Sequence, residues 1–203
     1  YERFEKYFLN RDIIDFQMDG KPYSIFISKA VCFPQAYAAA IPVFQKLRQY
    51  PKTTIIDIGG FTADYLIMKN GEPDLAACDS LENGVIMLYN RIKAKINADL
   101  DMLLDESDID AVLKEQQTEY DDTVIRIISE QAQAFIDDLF GKLRERMIDL
   151  RSGKTVFVGG GSILLKKQIE NSEKVGSAIF VESISANSRG YELLYQASCG
   201  GDR

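Results

Sequence analysis

One stretch of the sequence joins a carboxylate to an unusually free backbone: residues 54–64 read TIIDIGGFTAD, with one aspartate and two adjacent glycines between apolar runs. Asp57 falls at the predicted end of a strand, so its carboxylate is expected at the edge of a sheet. Gly59 and Gly60 lack a Cβ and can adopt positive φ angles, so their peptide N–H groups can approach an anion closely. This combination is typical of a phosphate-binding turn, although an ordinary Gly-Gly hairpin has the same pattern.

The geometry of this turn predicts which groups meet at its tip. With a two-residue turn at the glycine pair, Asp57 lies opposite Thr62, and their side chains share one face of the hairpin. Asp64 then lies on the same face, about 7 Å deeper, where a structural role is the better interpretation. A carboxylate repels a phosphate unless a cation lies between them, and Mg²⁺, which keeps several of its waters, suits that position. The turn therefore predicts a Mg²⁺–phosphate site with Asp57 as its acid.

Two further glycine-containing segments are weaker signals. The segment SGKT at residues 152–155 is not a phosphate-binding P-loop, because Ile148 stands where that loop needs glycine and a strand follows where a helix is required. The segment GGGS at residues 159–162 follows a predicted strand and opens a helix, so its N–H groups could contact a ligand. A dinucleotide fingerprint would need a glycine in place of Leu164. Nucleotide contact and a plain strand-to-helix turn both remain open for this segment.

Alternating and helical patterns predict an α/β order of elements around these motifs. The predicted strands are residues 13–18, 23–29, 53–58, 61–68, 73–79, 155–158 and 178–181, with a turn at residues 19–22. The predicted helices are residues 34–50 with a kink at Pro42, 84–98, 121–150, a helix that begins at about Ile163, and 188–198. The acidic segment of residues 99–122 indicates a solvated peripheral subdomain.

Composition excludes several classes of function. The 203 residues carry a net charge of −7 without a basic cluster, which argues against direct binding to nucleic acid. The chain has no histidine, so Ser-His and Cys-His catalysis are excluded and carboxylates are the strongest metal ligands. Its three cysteines lack metal-ligand spacing, and its apolar runs are too short to span a bilayer. We therefore expect a cytoplasmic protein with no membrane partner.

Three motifs in a fixed order carry a family resemblance: VCFPQAYAAA (31–40), TTIIDIGGFTAD (53–64) and VFVGGGS (156–162). Together they resemble the second half of the actin-like ATPases, which share a fold with heat-shock chaperone ATPases and sugar kinases. The spacing is most similar to the bacterial plasmid-segregation family of ParM/StbA type, over roughly residues 25–200. The resemblance implies an α/β, actin-like (ribonuclease H-like) ATPase lobe, with a mixed five-stranded sheet flanked by helices and a small helical subdomain inserted.

The resemblance assigns roles to the first glycine turn. It implies that Asp57 is the acid associated with Mg²⁺, and that Gly59, Gly60 and Thr62 lie around the β- and γ-phosphates of ATP or ADP. These implied roles agree with the cation and phosphate chemistry that the residue types predict.

The resemblance also assigns the second loop and the attacking water. The adenosine loop is implied to consist of Gly159, Gly160, Gly161 and Ser162. Gln35 corresponds to the polar side chain that orients the attacking water, whereas its residue type alone indicates only a polar residue in the first turn of a helix. Because phosphoryl transfer to water needs positioning more than a strong base, a glutamine suffices for that role. A ribose contact is expected between residues 106 and 130, where no residue stands out.

The family has two lobes that clamp the phosphates between them. The resemblance implies that residues 1–50 end the first lobe and cross to the second, which residues 51–203 form, with a subdomain insertion at about 84–122. The first lobe of the family opens with its own Asp-x-Gly phosphate loop, and none precedes Tyr1. We therefore expect a C-terminal half that on its own binds nucleotide weakly and is inactive in hydrolysis.

The leading functional expectation is an ATPase that forms nucleotide-switched filaments and moves plasmid DNA through a separate adaptor protein. Self-association would use lobe surfaces, and the acidic segment of residues 99–122 is a candidate. Gln35 favours hydrolysis, because a scaffold that only binds nucleotide has no need to orient water. A small-molecule, sugar-type kinase of the same fold and a non-hydrolysing nucleotide-binding scaffold are the alternatives.

Overall fold

A five-stranded mixed sheet forms the centre of the larger of two compact units in the computed structural model, which describes residues 2–9, 12–183 and 185–199. The smaller unit is residues 1–34 and the larger is residues 35–203. Within the described ranges, no helix combines the length and the apolar character needed to cross a lipid bilayer.

The smaller unit contains one helix and one hairpin. They are α1 (Glu2–Leu9), β1 (Ile14–Met18) and β2 (Lys21–Ile25). Asp19 and Gly20, with φ angles of 52° and 74°, form a two-residue turn that is shorter than the predicted one. Both faces of the hairpin are exposed, and Phe16 stacks on Tyr23 with ring centroids 5.5 Å apart.

The sheet of the larger unit confirms the predicted mixed, five-stranded architecture. Its strands are β3 (Lys52–Ile58), β4 (Ala63–Lys69), β5 (Glu72–Leu81), β6 (Lys154–Val158) and β7 (Ala178–Phe180), in the order β5-β4-β3-β6-β7. The first three form an antiparallel meander. β6 pairs in parallel with β3, and β7 pairs in parallel with β6. The SGKT segment enters β6 directly, so it does not have the loop-to-helix geometry of a P-loop.

Helices flank this sheet. They are α2 (Gln35–Ala40), α3 (Phe44–Leu47), α4 (Val85–Leu100), α5 (Glu106–Leu113), α6 (Asp122–Glu145), α7 (Gly160–Leu164), α8 (Lys166–Glu170) and α9 (Ala186–Cys199). A 3-10 turn, Ile41–Val43, contains Pro42 between α2 and α3, which confirms the predicted kink. The predicted end of α6 was wrong: the helix stops at Glu145, because Met147 has a left-handed φ of 63° that turns the chain. The helix expected from about Ile163 begins slightly earlier, at Gly160.

The acidic segment contains a helix because its acids cap it. Asp105 accepts a hydrogen bond from the amide of Asp108, and the side chain of Asp108 accepts one from the amide of Asp105. This capping box begins α5. Asp121 caps α6 in a similar way, accepting hydrogen bonds from the amides of Thr123 and Val124. Several of these acids therefore define helix starts, as well as contributing negative charge.

The two faces of the sheet pack against different helices. Alternate residues of a strand point to opposite faces. Ile56 and Phe157 belong to the core that includes α4, α5 and α6, whereas Ile55 and Val156 belong to the core that includes α2 and the start of α9. Because Asp57 lies two residues after Ile55, its side chain is on the face that α2 and α9 cover.

Gly190 allows helices α2 and α9 to pack closely together. A Cβ added at Gly190 would lie 1.7 Å from the carbonyl oxygen of Ala38, far inside van der Waals contact. Ala38 and its two successors, Ala39 and Ala40, are fully buried. Small residues on both helices therefore let the two backbones touch.

Gly190→Ala is expected to destabilise the fold by about 3 kcal/mol, because the new methyl group meets a backbone carbonyl that cannot move without its helix. Urea unfolding followed by circular dichroism measures this loss. Gly141→Ala in α6 is the matched control, since nothing lies within 4 Å of the position its Cβ would take. That variant should gain about 0.5–1 kcal/mol from helix propensity. Equal stabilities for the two variants would contradict the close packing at Gly190.

Candidate nucleotide site

Asp57 is a buried acid that two carboxamides hold. Its side chain is 3% exposed and lies near the end of β3. Asn187, in the first turn of α9, donates a hydrogen bond from Nδ2 to Asp57 Oδ2 at 3.2 Å. Gln35, the first residue of α2, also hydrogen-bonds the carboxylate through its side chain. The fold therefore brings together Gln35 and Asp57, two residues that the sequence singled out separately.

Burial raises the pKa of Asp57 above the ordinary aspartate value, because the charged form is costly away from water. The hydrogen bond from Asn187 lowers this pKa, the charge of Asp64 raises it, and the hydrogen bond from Gln35 lowers it. A cation beside the carboxylate would favour the charged form. Asp57 is therefore ionised most easily when a cation is bound.

The register of the β3–β4 hairpin differs from the predicted one. Asp57 pairs with Asp64, not with Thr62. The loop between the strands holds four residues, 59–62, and the N–H of Gly59 donates to the carbonyl of Thr62 at 2.8 Å. The predicted pairing was wrong because this bond closes a wider turn than a two-residue hairpin.

The new register places two carboxylates side by side. Asp64 lies directly across from Asp57, and cross-strand partners share one face of a sheet. Ser80 of β5 donates its hydroxyl to Asp64 Oδ1. This contact ties Asp64 to the neighbouring strand and supports the structural role that the sequence favours for it.

The loop of residues 59–62 turns its carbonyl groups toward α4. The carbonyls of residues 59–61 accept hydrogen bonds from the amides of residues 84–86, each at 3.0 Å. In a trans peptide the N–H points opposite to the C=O, and the described chain contains no cis peptide. The N–H groups of residues 60–62 therefore point away from α4, which gives a row of donors like an anion-binding nest.

Gly84, which directly precedes α4, makes the close contact between this loop and α4 possible. A Cβ at Gly84 would lie 2.1 Å from the carbonyl oxygen of Gly60. The preceding residue, Asn83, is buried, and its Oδ1 accepts a hydrogen bond from Lys142 of α6 at 2.7 Å. The start of α4 is thus held against the loop on one side and against α6 on the other.

The loop of residues 159–162 meets Asp57 from β6. Gly159 has a φ of +86°, and a Cβ there would lie 2.2 Å from Asp57 Oδ1. Ser162 is buried and donates its hydroxyl to the carbonyl of Val158 at 2.6 Å. Its side chain thus ties α7 to the end of β6, which leaves the backbone of Gly160 and Gly161 to face the cavity beside the loop.

A cavity of about 360 Å³ lies between the two glycine loops, within the range of small-ligand pockets. Its lining includes Gly59 and Gly60 from the first loop and Gly160 and Gly161 from the second. The remaining lining residues are Val85, Tyr89, Asp110, Lys114, Ile163 and Leu164. The cavity is therefore polar at the loops and along α5, and apolar along α7.

Asp110 is the hydrogen-bonding centre of the α5 wall. Its carboxylate accepts the hydroxyl of Tyr89 at 2.6 Å and forms an ion pair with Lys114 at 2.6 Å. Burial and the bond to Asp110 raise the pKa of Tyr89 above the ordinary tyrosine value, so the phenol stays protonated. Asp110 keeps acceptor capacity for a ligand hydroxyl, because a carboxylate has about four lone-pair sites.

The residues present fit a hydrated Mg²⁺ ion. Among the described residues, no three His, Cys, Asp or Glu side chains are grouped to hold a metal. Mg²⁺ does not require such a cage, because it keeps several waters and takes other ligands from phosphate oxygens. Asp57, directly or through a water, is the group that would hold it, and the cation would neutralise phosphate charge.

Sequence reasoning found the loops but missed several side chains around them. Asn187 has no recognisable pattern, and only the fold brings it to Asp57. Asp110 and Lys114 lie within the range expected to contain a ribose contact, but their i, i+4 spacing in an acidic helix is also typical of an exposed ion pair. Thr62 stands at the base of the first loop, where its carbonyl accepts the hydrogen bond from the N–H of Gly59.

Several solved structures similar to this chain are actin homologues or ParM proteins. The chain has a TM-score of 0.66 and 20% identity with Ta0583, an archaeal actin homologue solved in complex with ADP, covering 95% of this chain and 66% of that one. A 15-stranded ParM filament from Clostridium botulinum has a TM-score of 0.67 and 16% identity with the chain, covering 96% of this chain and 62% of that one. Bacillus thuringiensis ParM with ATP has a TM-score of 0.56 and 16% identity, covering 88% of this chain and 58% of that one. The chain thus spans less than two thirds of the length of each of these proteins.

These likenesses establish an actin-like fold. No curated protein matches the chain. The family model described as archaeal actin homologue MreB-like, C-terminal, matches residues 55–171, which is more than half of the chain and includes the first glycine loop and the second. The chain therefore belongs to the MreB-like family of archaeal actin homologues.

Proposed function

We propose that this chain supplies the second nucleotide-binding lobe of an actin-like ATPase that binds and hydrolyses ATP with Mg²⁺. The observation that carries the proposal is the cavity of about 360 Å³ between two glycine loops that meet at one buried carboxylate. Two of the similar solved structures contain a nucleotide, ADP in one and ATP in the other, which supports nucleotide as the ligand class.

The cavity and the groups beside it each have a proposed role. The N–H groups of residues 60–62 bind phosphate oxygens, and Asp57 holds the hydrated Mg²⁺. The backbone of residues 159–162 contacts the adenosine, and Leu164 offers an apolar surface to the base. Asp110 accepts a hydrogen bond from a ribose hydroxyl, which places the missing ribose contact on α5.

We further propose that the full-length protein assembles into nucleotide-switched filaments in the cytoplasm, as ParM/StbA-type plasmid-segregation proteins do, and contacts DNA only through an adaptor. Two of the similar solved structures are filaments, which supports self-association. Residues 1–50 would end the first lobe, and residues 51–203 would form the second. The exposed apolar faces of the hairpin in residues 14–25 suit burial against more of a first lobe.

The test of the proposed function is 90° light scattering of the full-length protein after addition of MgATP, with phosphate release followed in the same sample. Scatter that rises with ATP and falls as phosphate appears is the expected result. Flat scatter with negligible phosphate release would instead identify a nucleotide-binding scaffold. Turnover that requires an added sugar or another small acceptor would identify a kinase.

Gln35→Ala is expected to slow phosphate release by about 10–100-fold, because the attacking water loses the group that orients it. The affinity for ATP should change little, since the phosphates are held by the loops. Single-turnover hydrolysis and calorimetric ATP binding measure the two effects separately. Gln49→Ala is the matched control, because Gln49 is exposed and donates its side-chain amide to the carbonyl of Lys46, three residues earlier in the chain and remote from the loops. An unchanged hydrolysis rate in Gln35→Ala would remove Gln35 from the mechanism.

A further inference from the structure

Two helices deliver one carboxamide each to the same carboxylate. Gln35 stands at the start of α2 and Asn187 in the first turn of α9, and both hydrogen-bond Asp57. The contact of Gly190 with Ala38 fixes the distance between these helices. Asn187 is thus placed by backbone packing, which is a rigid way to hold a side chain.

The two oxygens of the Asp57 carboxylate have different surroundings. Asn187 Nδ2 holds Oδ2 at 3.2 Å on the α9 side. Oδ1 lies over Gly159, where an added Cβ would be 2.2 Å away, and so faces the second glycine loop. Asn187 therefore holds Oδ2, and Oδ1 lies beside the second glycine loop.

The hydrogen bond to Asp57 uses only the nitrogen end of the Asn187 side-chain amide. An ionised carboxylate only accepts hydrogen bonds, so the amide must turn its Nδ2 toward Asp57. Its Oδ1 is then buried, with no hydrogen-bond partner in the described part of the chain. A buried unpartnered oxygen costs stability, and such costs concentrate at functional sites. The side chain thus leaves one oxygen unpaired in order to place Nδ2 on Asp57.

We propose that Asn187 is a positioning residue for the cation: it holds Asp57 Oδ2 so that Oδ1 is directed toward Mg²⁺ or one of its waters. The inference rests on the proposed function, since it assumes that a Mg²⁺–nucleotide complex binds between the loops. Asn187 does not touch nucleotide. It acts through Asp57, as outer groups that orient metal-binding carboxylates do.

The test compares the affinity of the full-length protein for mant-ADP, a fluorescent ADP, in Mg²⁺ and in EDTA. Asn187→Ala should weaken binding in Mg²⁺ by about tenfold. Its affinity in EDTA should stay within about twofold of the wild type, since the loops still bind phosphate. Asn187→Thr, whose side-chain volume is close to that of asparagine but whose hydroxyl is too short to replace the amide, is the second variant and should show the same split. A merely structural role would weaken binding equally in both buffers.

The matched control is Ser188→Ala, one residue along α9. Its hydroxyl is exposed and bonds back to the carbonyl of Ser185 at 2.9 Å, so both affinities should match the wild type. Equal weakening of the Asn187 variants with and without Mg²⁺, or no change in either buffer, would overturn the role of Asn187 and leave the proposed function standing. A wild-type protein that binds mant-ADP in neither buffer would overturn the proposed function, and this inference with it.

Discussion

Asp57→Asn in the full-length protein is expected to lower the rate of ATP hydrolysis by about 10²–10³-fold. The amide keeps the shape of the side chain and can still accept a hydrogen bond from Asn187, but it has no charge with which to hold Mg²⁺. Phosphate release at saturating MgATP measures the loss. Because the substitution is nearly isosteric, a folding defect does not account for it.

Asp64→Asn is the matched control. Asp64 is the cross-strand partner of Asp57, and its carboxylate is engaged by Ser80. Its removal takes away a like charge beside Asp57 but no cation ligand, so the rate should change by less than about tenfold. Equal losses in the two variants would contradict the assignment of Asp57 as the acid that holds the cation.

The stability of Asp57→Asn should change in the opposite direction from its activity. Burial raises the pKa of Asp57 in the folded state, so the stability it contributes is present below the unfolded pKa and is lost as pH rises through the folded value. At pH 7 without nucleotide, the variant should therefore unfold at higher urea concentration than the wild type. The difference should shrink as the pH is lowered to about 4, where the unfolded carboxyl also begins to bind its proton. A less stable variant at pH 7 would contradict the burial cost.

Gly159→Ala in the full-length protein is expected to weaken MgADP binding by about 100-fold or more and to destabilise the fold by about 3 kcal/mol. An alanine at φ +86° is strained, and its Cβ would lie 2.2 Å from Asp57 Oδ1 and 2.7 Å from the carbonyl of Ile58. The substitution therefore displaces the carboxylate and separates the two loops. Calorimetric titration with MgADP and urea unfolding measure the two effects.

Gly160→Ala is the control for folding in this experiment. Nothing lies within 4 Å of the position its Cβ would take, and it is the first residue of α7, so its stability should stay within about 0.5 kcal/mol of the wild type. If Gly159→Ala were as stable as Gly160→Ala and bound MgADP normally, the contact of the second loop with Asp57 would be unimportant.

The sequence predicts the sheet and the loops well, because their signals are local. Alternating apolar residues around two turns define β3, β4 and β5, and the strand–glycine–helix order defines β6 and α7. The α/β class and the strand content follow from these patterns. The end of α6 was harder to predict, because Met147 adopts a left-handed conformation that its residue type does not indicate.

The side chains of the site were less predictable, because they depend on register and tertiary packing. A four-residue turn in place of a two-residue turn replaced Thr62 by Asp64 as the partner of Asp57. The approach of Asn187 depends on a glycine contact between two helices that lie far apart in the chain. Neither event leaves a recognisable motif in the sequence, whereas the glycine loops do.

A structure of the full-length protein with MgADP bound would show whether Asp57 and the two glycine loops form the nucleotide site. We expect phosphate oxygens within hydrogen-bond distance of the N–H groups of residues 60–62, with the cation beside Asp57 Oδ1. The adenosine should lie between α5 and α7. Phosphates bound elsewhere, for example at the SGKT segment of residues 152–155, or a cation remote from Asp57, would mean that these loops are not the nucleotide site.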